Sequence, residues 1–154
     1  MEKTKRVSRR TAFEYGDDRS RELVEVFNSE LGKDPGEPIE AVLKRTVNHA
    51  SRRFWVSEER ALRVLNAMKR DATANTGHAL KREMYDELRR RCEQIAIEHP
   101  DWTMSQVVCH AVSQEAPKFY LSASSAHAII CKERVRCARE RLERLRRQHA
   151  PRRR

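Results

Sequence analysis

The sequence predicts an all-α protein made of two tandem three-helix modules and an extended basic C-terminal helix. Three observations support this fold class. The 154 residues include only four Gly and five Pro, so turn signals are few and long helices are favoured. Apolar residues recur at helical spacing along most of the chain. The chain also resembles itself when it is shifted by 65 residues, which indicates an internal repeat.

The repeat is clearest where residues 35–65 face residues 100–130. The matched pairs include Phe54 with Phe119, Trp55 with Tyr120, and Ser57 with Ser122. A shared helical pattern does not require an aromatic pair and a serine to recur in register, so we interpret the repeat as a tandem duplication. It predicts a basic arm over 1–14, a first module over 15–70, a linker over 71–77, a second module over 78–135, and a basic extension over 136–154.

The first module is expected to contain three helices. Asp17, Asp18 or Ser20 is a suitable cap for the first helix, Pro38 suits the first turn of the second, and Ser57 caps the third. The predicted inward residues are Leu23, Phe27 and Leu31 in the first helix, Ile39, Val42, Leu43 and Val47 in the second, and Ala61, Val64, Leu65 and Met68 in the third.

The second module repeats this layout. Asp101 or Thr103 is expected to start its second helix and Ser122 its third. The predicted inward residues are Met84, Leu88, Cys92 and Ile95 in the first helix, Met104, Val107, Val108, Ala111 and Val112 in the second, and Ala126, Ile129 and Ile130 in the third. In each module the aromatic residues before the third helix are expected to be fixed between that module's second and third helices.

This layout resembles the tri-helical helix-turn-helix class, to which homeodomain-like and Myb-like modules belong. The resemblance implies that the third helix of each half enters the DNA major groove, which admits a helix and displays distinct base edges. The base-reading candidates on the first half's third helix are Arg60, Arg63, Asn66 and Arg70. The corresponding residues of the second half are Ser125, Ala128, Cys131 and Arg134, a small and weakly cationic surface. The alternative for the first half is an ordinary solvated helix face.

Basic residues are concentrated at the two ends of the chain. The net charge is +10, and residues 1–12 carry five basic residues against one acidic, while residues 132–154 carry eleven against three. Basic arms are typical of proteins that bind a polyanion, because each Lys or Arg near a phosphate displaces a counterion. The alternative is that these ends only keep the protein in solution. The candidates for phosphate contacts are Lys5, Arg6, Arg9, Arg10, Arg52, Arg53, Lys69, Lys118, Lys132, Arg134, Arg136 and Arg139.

The last helix is expected to continue past the second module as far as Pro151. Its apolar residues alternate at spacings of four and three, as in a coiled coil. They are Cys131, Val135, Ala138, Leu142 and Leu145. This stripe either packs within the chain or pairs two copies in a homo-oligomer.

Catalytic and metal-binding motifs are not expected. The sequence has no phosphate-binding glycine loop, nucleophile elbow or HExxH motif. Cys109, His110, His127 and Cys131 lack the tight pairs of a structural zinc site. We therefore expect no enzyme, no cofactor and no metal, with the cysteines as buried thiols.

The favoured hypothesis is a double-stranded DNA-binding protein, acting in transcription regulation or as a DNA-recognition subunit of a phage or mobile element. A terminase small subunit is one form of this, because such proteins join a helix-turn-helix to an oligomerising helix. The alternative is a helical adaptor that binds protein partners or RNA. The absence of a signal-like or membrane-spanning segment predicts a cytoplasmic protein without a membrane partner, associated with the nucleoid if it binds DNA.

Overall fold

The computed structural model describes residues 4–75 and 77–151, with only the helical backbone described over residues 4–14. The prediction of an all-α fold is confirmed: the described residues form six α-helices and no strand. The helices are α1 (Thr4–Leu31), α2 (Ile39–Val47), α3 (Glu58–Arg70), α4 (Ala79–Glu98), α5 (Met104–Ser113) and α6 (Ala123–Gln148). A short 3₁₀ turn, Ala72–Ala74, follows α3.

The helix starts repeat at the spacing seen in the sequence. α2 and α5 begin 65 residues apart, and so do α3 and α6. Ser57 caps α3 by accepting a hydrogen bond from the backbone N–H of Arg60, and Ser122 caps α6 through the equivalent N–H of Ser125, both at 3.2 Å. These serines satisfy a helix donor that has no partner within the helix, so they fix where each third helix begins.

The segments before α3 and α6 pair with each other in the middle of the molecule. Ser51 N donates to Ala116 O at 2.9 Å, and Ala116 N donates back to Ser51 O at 2.8 Å. Two further backbone hydrogen bonds flank this bridge, from Phe54 N to Val112 O and from Phe119 N to Val47 O, each 3.0 Å long. The repeat relates every one of these bonds to another, so the halves face each other across an approximate two-fold axis between Ser51 and Ala116.

The third helices are exchanged across this axis. α3 packs on α4 and α5, whereas α6 packs on α1 and α2. One core therefore combines α4 and α5 with α3, and the other combines α1 and α2 with α6. This packing differs from the self-contained modules predicted over 15–70 and 78–135, because each three-helix unit takes its third helix from the other half. The pair α1 and α2 and the pair α4 and α5 form equivalent grooves. At the central bridge the chain of each half crosses the axis, so that its third helix packs in the groove of the other half and not in its own.

The aromatic pair of each connection is divided between the two cores. Phe54 is buried in the core of α4 and α5, while its neighbour Trp55 packs against the core of α1 and α2. Phe119 and Tyr120 divide in the same way with the cores reversed. Successive side chains of an extended segment point to opposite sides, so each aromatic pair joins the two units. The predicted burial of these residues between helices of their own module was therefore only half correct.

The two halves hold the corner between their first and second helices by different chemistry. In the first half, the buried Glu30 carboxylate accepts hydrogen bonds from Lys33 at 2.7 Å and Arg45 at 3.0 Å. These bonds lower the pKa of Glu30. In the second half, Ile95 stands in place of Glu30, and the corner is closed by an aromatic contact between Trp102 and His110 with ring centroids 5.5 Å apart.

A buried carboxylate also distinguishes the halves near the axis. Glu22 accepts hydrogen bonds from Ser51 Oγ at 3.0 Å, Arg52 N at 2.8 Å and Trp55 Nε1 at 3.1 Å. The repeat places Ala, Pro and Tyr at the three donor positions of the second half. The equivalent carboxylate, Glu87, instead pairs with two arginines of its own helix.

The first helix is longer than the sequence predicts. α1 begins at Thr4 and runs through Asp17, Asp18 and Ser20, so none of these three residues is its cap. Ser20 Oγ instead donates to the carbonyl of Gly16, one turn back within the helix, at 2.7 Å. The predicted basic arm over 1–14 is thus helical from Thr4 onward. At the other end α6 stops at Gln148, three residues before Pro151. None of the described helices combines the length and apolar character needed to cross a membrane.

Candidate nucleic-acid interface

The outward face of α3 carries the predicted base-reading residues. The inner face of α3 is buried against α4 and α5, which turns the opposite face to solvent. Arg60, Arg63 and Arg70 are exposed there, and Asn66 is half-buried. The structure therefore brings all four to one side of one helix, although that helix belongs to the unit built on α4 and α5.

The charge of this face is weakly compensated. Arg63 Nη2 lies 3.7 Å from a carboxylate oxygen of Glu59, and both side chains are about three-quarters exposed, at 74% and 73%. Exposed pairs of this kind contribute little to stability. An incoming phosphate or base edge can therefore displace Glu59 at small cost.

Several predicted phosphate contacts are instead engaged within the molecule. Arg52 forms an ion pair with Glu25 at 2.7 Å, and Lys118 forms one with Glu83 at 2.6 Å. Arg53 donates to the carbonyl oxygens of Phe54 and Val56, while its guanidinium lies 4.1 Å from the centre of the Tyr15 ring. Arg53 therefore holds the segment before α3, whereas the exposed pair of Arg52 with Glu25 contributes little to stability.

On α6, Arg136 and Arg134 are also engaged. Arg136 donates to the buried Glu133 carboxylate and to Glu140, and its hydrogen bonds lower the pKa of Glu133. Arg134 donates to Asn28 Oδ1 of α1 at 2.6 Å. Arg134 therefore ties the start of the extension to α1, whereas Arg136 is engaged within α6 itself.

Three predicted phosphate contacts are both exposed and free of a salt bridge to the described residues. They are Lys69, Lys132 and Arg139, and within the described residues no salt bridge joins them to a carboxylate. The side chains of Lys5, Arg6, Arg9 and Arg10 lie outside the part of the chain whose side chains are described.

The first turns of the extension on α6 lie against α1. α1 and α6 pack together, with Asn28 beside Arg134 and, about three turns earlier in α1, Gly16 and Asp17 beside the groove that Arg136 and Arg139 line. Beyond this groove α6 continues as an exposed helix that carries Arg141, Arg144, Arg146 and Arg147. The described part of the C-terminal end therefore presents its positive charge on one exposed helix.

The end of α6 does not pack on the body. Val135, Leu142 and Leu145 of the predicted stripe are exposed by 51%, 54% and 45%, and every residue from 137 to 148 is exposed. The sequence left two alternatives for the stripe, packing within the chain or pairing of two copies. Beyond Val135, none of the stripe residues packs within the described part of the chain.

The second half exposes the weakly cationic face that the sequence predicts. Ser125, Ala128, Cys131 and Arg134 are all exposed on α6. Because α6 packs on α1 and α2, this face and the arginine face of α3 lie on different three-helix units. The two third helices therefore present different chemistry.

The four residues considered as zinc ligands are divided between α5 and α6. Within the described residues, no three His, Cys, Asp or Glu side chains are placed to hold a metal ion. Of the cysteines expected to be buried, only Cys92 is; Cys109, Cys131 and Cys137 are exposed.

Sequence reasoning missed two cations that lie near Arg60. Arg19 of α1 and Lys81 of α4 line the same cleft as Arg60. Their juxtaposition depends on α3 crossing the axis to pack beside α4, which no residue spacing indicates. The sequence offers one indication that these cations have a role of their own. The repeat places Met84 opposite Arg19 and Gly16 opposite Lys81, so the fold that the two halves share does not require a cation at either position.

A comparison of the chain with protein-family models, with curated proteins and with solved structures found no match in any of the three.

Proposed function

We propose that this protein is a non-enzymatic, double-stranded DNA-binding protein, acting as a regulator or as a DNA-recognition subunit of a phage or mobile element. The observation that carries the proposal is the placement of charge. The exposed end of α6 carries Arg139, Arg141, Arg144, Arg146 and Arg147 in a chain of net charge +10, and a separate arginine face stands on α3. Basic groups collected on an exposed surface favour a polyanion through the release of its counterions.

In this proposal the two regions have different tasks. The exposed arginines of α6 contact phosphates and supply affinity that does not depend on sequence. Arg63 and Asn66 contact bases, because guanidinium and carboxamide groups match the acceptor and donor patterns of guanine and adenine. The helix-turn-helix resemblance needs one change: the helix packed beside α3 is α5 of the other half rather than α2.

The alternative is an adaptor that binds a protein partner through the end of α6, and the exposed apolar stripe favours it. Arg139 and Arg146 flank this stripe on one side, and Arg134 and Arg141 on the other. Two copies paired along the stripe would set arginine against arginine, which opposes a homo-oligomer. The adaptor alternative therefore implies an acidic amphipathic helix as the partner.

Fluorescence anisotropy on a mixed-sequence duplex, from low to physiological salt, tests the proposal with three variants of the full chain. The first changes Arg141, Arg144 and Arg147 to Gln, the second changes Leu142 and Leu145 to Ser, and the third changes Arg63 and Asn66 to Ala. The glutamine variant removes charge and keeps the stripe, whereas the serine variant does the opposite, so each is the control for the other.

The proposal predicts that only the glutamine variant loses general affinity. Its slope of log affinity against log salt should fall by about 0.9 for each lost phosphate contact. The alanine variant should retain affinity for the duplex and lose preference among sequences. If the parent protein binds no duplex even at low salt, DNA binding is rejected. If the parent protein binds an acidic helical peptide and the serine variant does not, the adaptor function is favoured.

A further inference from the structure

A cleft of about 260 Å³ opens between α1, α4 and the segment that enters α3. Three basic side chains line it, namely Arg19 from α1, Arg60 from α3 and Lys81 from α4. Tyr15, Trp55 and Tyr85 add aromatic surface, and no Asp or Glu whose side chain the structure describes lines the cleft. The described wall of the cleft is therefore a concave site with cations from three helices.

The basic side chains of the cleft are not paired with any described carboxylate. Within the described residues, no salt bridge joins Arg19, Arg60 or Lys81 to a carboxylate. The Nε atom of Arg19 is shielded from solvent and has no hydrogen-bond partner in the part of the chain whose side chains are described. Burial accordingly lowers the pKa of this guanidinium. An unsatisfied buried donor on a cation is costly, and an anion in the cleft would remove that cost.

The cleft lies on the approximate two-fold axis, yet its charge is not symmetric. Gly16 and Lys81 occupy equivalent positions of the repeat and both line the cleft; so do Arg19 and Met84. A pair of identical halves would supply each residue twice. Here the first half supplies Arg19 and Arg60 and the second half supplies Lys81, each from a position at which the other half has no cation. The positive lining is therefore a departure from the repeat and not a consequence of the fold.

The wall of the cleft is held in place from behind. The Arg53 guanidinium lies 4.1 Å from the centre of the Tyr15 ring and 5.5 Å from that of Trp55, and Arg53 is fixed by two backbone carbonyls. Trp55 Nε1 is hydrogen-bonded to Ser51 and Glu22. The aromatic side of the site is thus preorganised, which reduces the entropy lost on binding.

We propose that this cleft binds a phosphate group, with Arg19, Arg60 and Lys81 as its donors. Guanidinium groups form directed hydrogen bonds to phosphate oxygens, and lysine adds a mobile point charge. The volume suits a phosphate with part of the group that carries it, since it lies near the lower end of small-molecule sites. The phosphate belongs either to a nucleic-acid backbone or to a free nucleotide. The inference does not require the proposed function, because the cleft is distinct from the end of α6.

Two double variants of the full chain test the cleft at equal net charge. The cleft variant is Arg19→Met with Lys81→Met, in which Met at position 19 is the residue that the repeat places opposite it. The control variant is Arg21→Met with Arg82→Met, which removes two exposed cations near the cleft that do not line it. Thermal melting by circular dichroism establishes that both variants fold.

The probes are pyrophosphate and a 5′-mononucleotide, measured by isothermal titration calorimetry, and a mixed-sequence duplex, measured by anisotropy. We expect the cleft variant to lose about tenfold in affinity for each removed cation, since one charge-assisted hydrogen bond corresponds to roughly a decade in Kd. The control variant should stay close to the parent, because exposed charges outside the cleft are screened by salt.

The outcomes separate the two sources of phosphate. Selective loss of pyrophosphate or mononucleotide binding assigns the cleft to a free phosphate compound, even if the parent binds no duplex and the proposed function fails. Selective loss of duplex binding alone assigns it to a backbone phosphate. Equal losses in both double variants, or no loss in the cleft variant with any probe, would overturn the proposal.

Discussion

Exchange of the third helices predicts that neither half of the chain folds alone. The perturbation is to express residues 1–75 and 76–154 as two separate chains, which leaves every helix intact. Fragment 1–75 then contains α1 and α2 without α6, and fragment 76–154 contains α4 and α5 without α3. Each fragment lacks the helix that completes its core and exposes the apolar face of its own third helix.

The magnitude follows from the side chains that cross the axis. Phe54, Val56, Leu65 and Met68 are the large residues that the first half buries in the core of α4 and α5. Full burial of one such side chain is worth about 1.5–3 kcal/mol, so the four contribute roughly 6–12 kcal/mol, an upper estimate because unfolded chains are partly compact. This is comparable to the whole stability of an ordinary domain, about 5–15 kcal/mol.

Circular dichroism and analytical ultracentrifugation check this prediction. Each fragment alone should show reduced helicity and no cooperative melt, and an equimolar mixture should form a one-to-one complex that melts cooperatively. A fragment that is monomeric, fully helical and cooperatively folded by itself would contradict the exchange. It would show instead that each half closes its own module.

Three further predictions concern single sites. Ser57→Ala and Ser122→Ala should each cost about 1 kcal/mol in urea unfolding, because each removes one equivalent cap; a loss confined to one serine would show that the caps are not equivalent. The pKa of Glu30 is lowered in the folded protein. The ionised Glu30 therefore contributes fully to stability above its pKa in the unfolded chain, about 4.3, and this contribution disappears as the pH falls through its lower pKa in the folded protein. Glu30→Gln should therefore lose less stability than the parent between pH 7 and pH 3, and equal losses would exclude this role. Burial raises the pKa of the Cys92 thiol to about 11, so the native protein should react with Ellman's reagent at three cysteines and at the fourth only after unfolding; four equally fast thiols would refute the burial of Cys92.

Much of the local structure was predictable because it depends on neighbouring residues. The two serine caps, the start of α5 after Thr103, and the burial of Phe54 and Phe119 all follow from spacing within a helix or between the repeats. α2 begins one residue after Pro38, which was expected in its first turn. The outward face of α3 was predictable for the same reason, since burying one stripe of a helix exposes the other.

The partner of each third helix was not predictable from these patterns. Ala61 and Leu65 of α3 match Ala126 and Ile130 of α6, so the sequence pattern does not indicate which groove each helix fills. The start of α1 was missed because Asp17 and its neighbours are good caps, but they are also tolerated inside a helix that has no proline to end it. The cleft was missed as a result, since Arg19 and Lys81 approach Arg60 only in the exchanged arrangement.

The covalent join between the halves has an evolutionary consequence. A dimer of two identical chains must accept every substitution twice, once on each side of its axis, and can therefore present only a symmetric surface. Here one gene encodes both sides, so a change in one half leaves the other untouched. Glu30 forms a charged corner where the other half has the apolar Ile95, and Arg60 stands where the other half has Ser125. Such a chain can keep the packing of a two-fold assembly and still recognise a target that has no symmetry of its own.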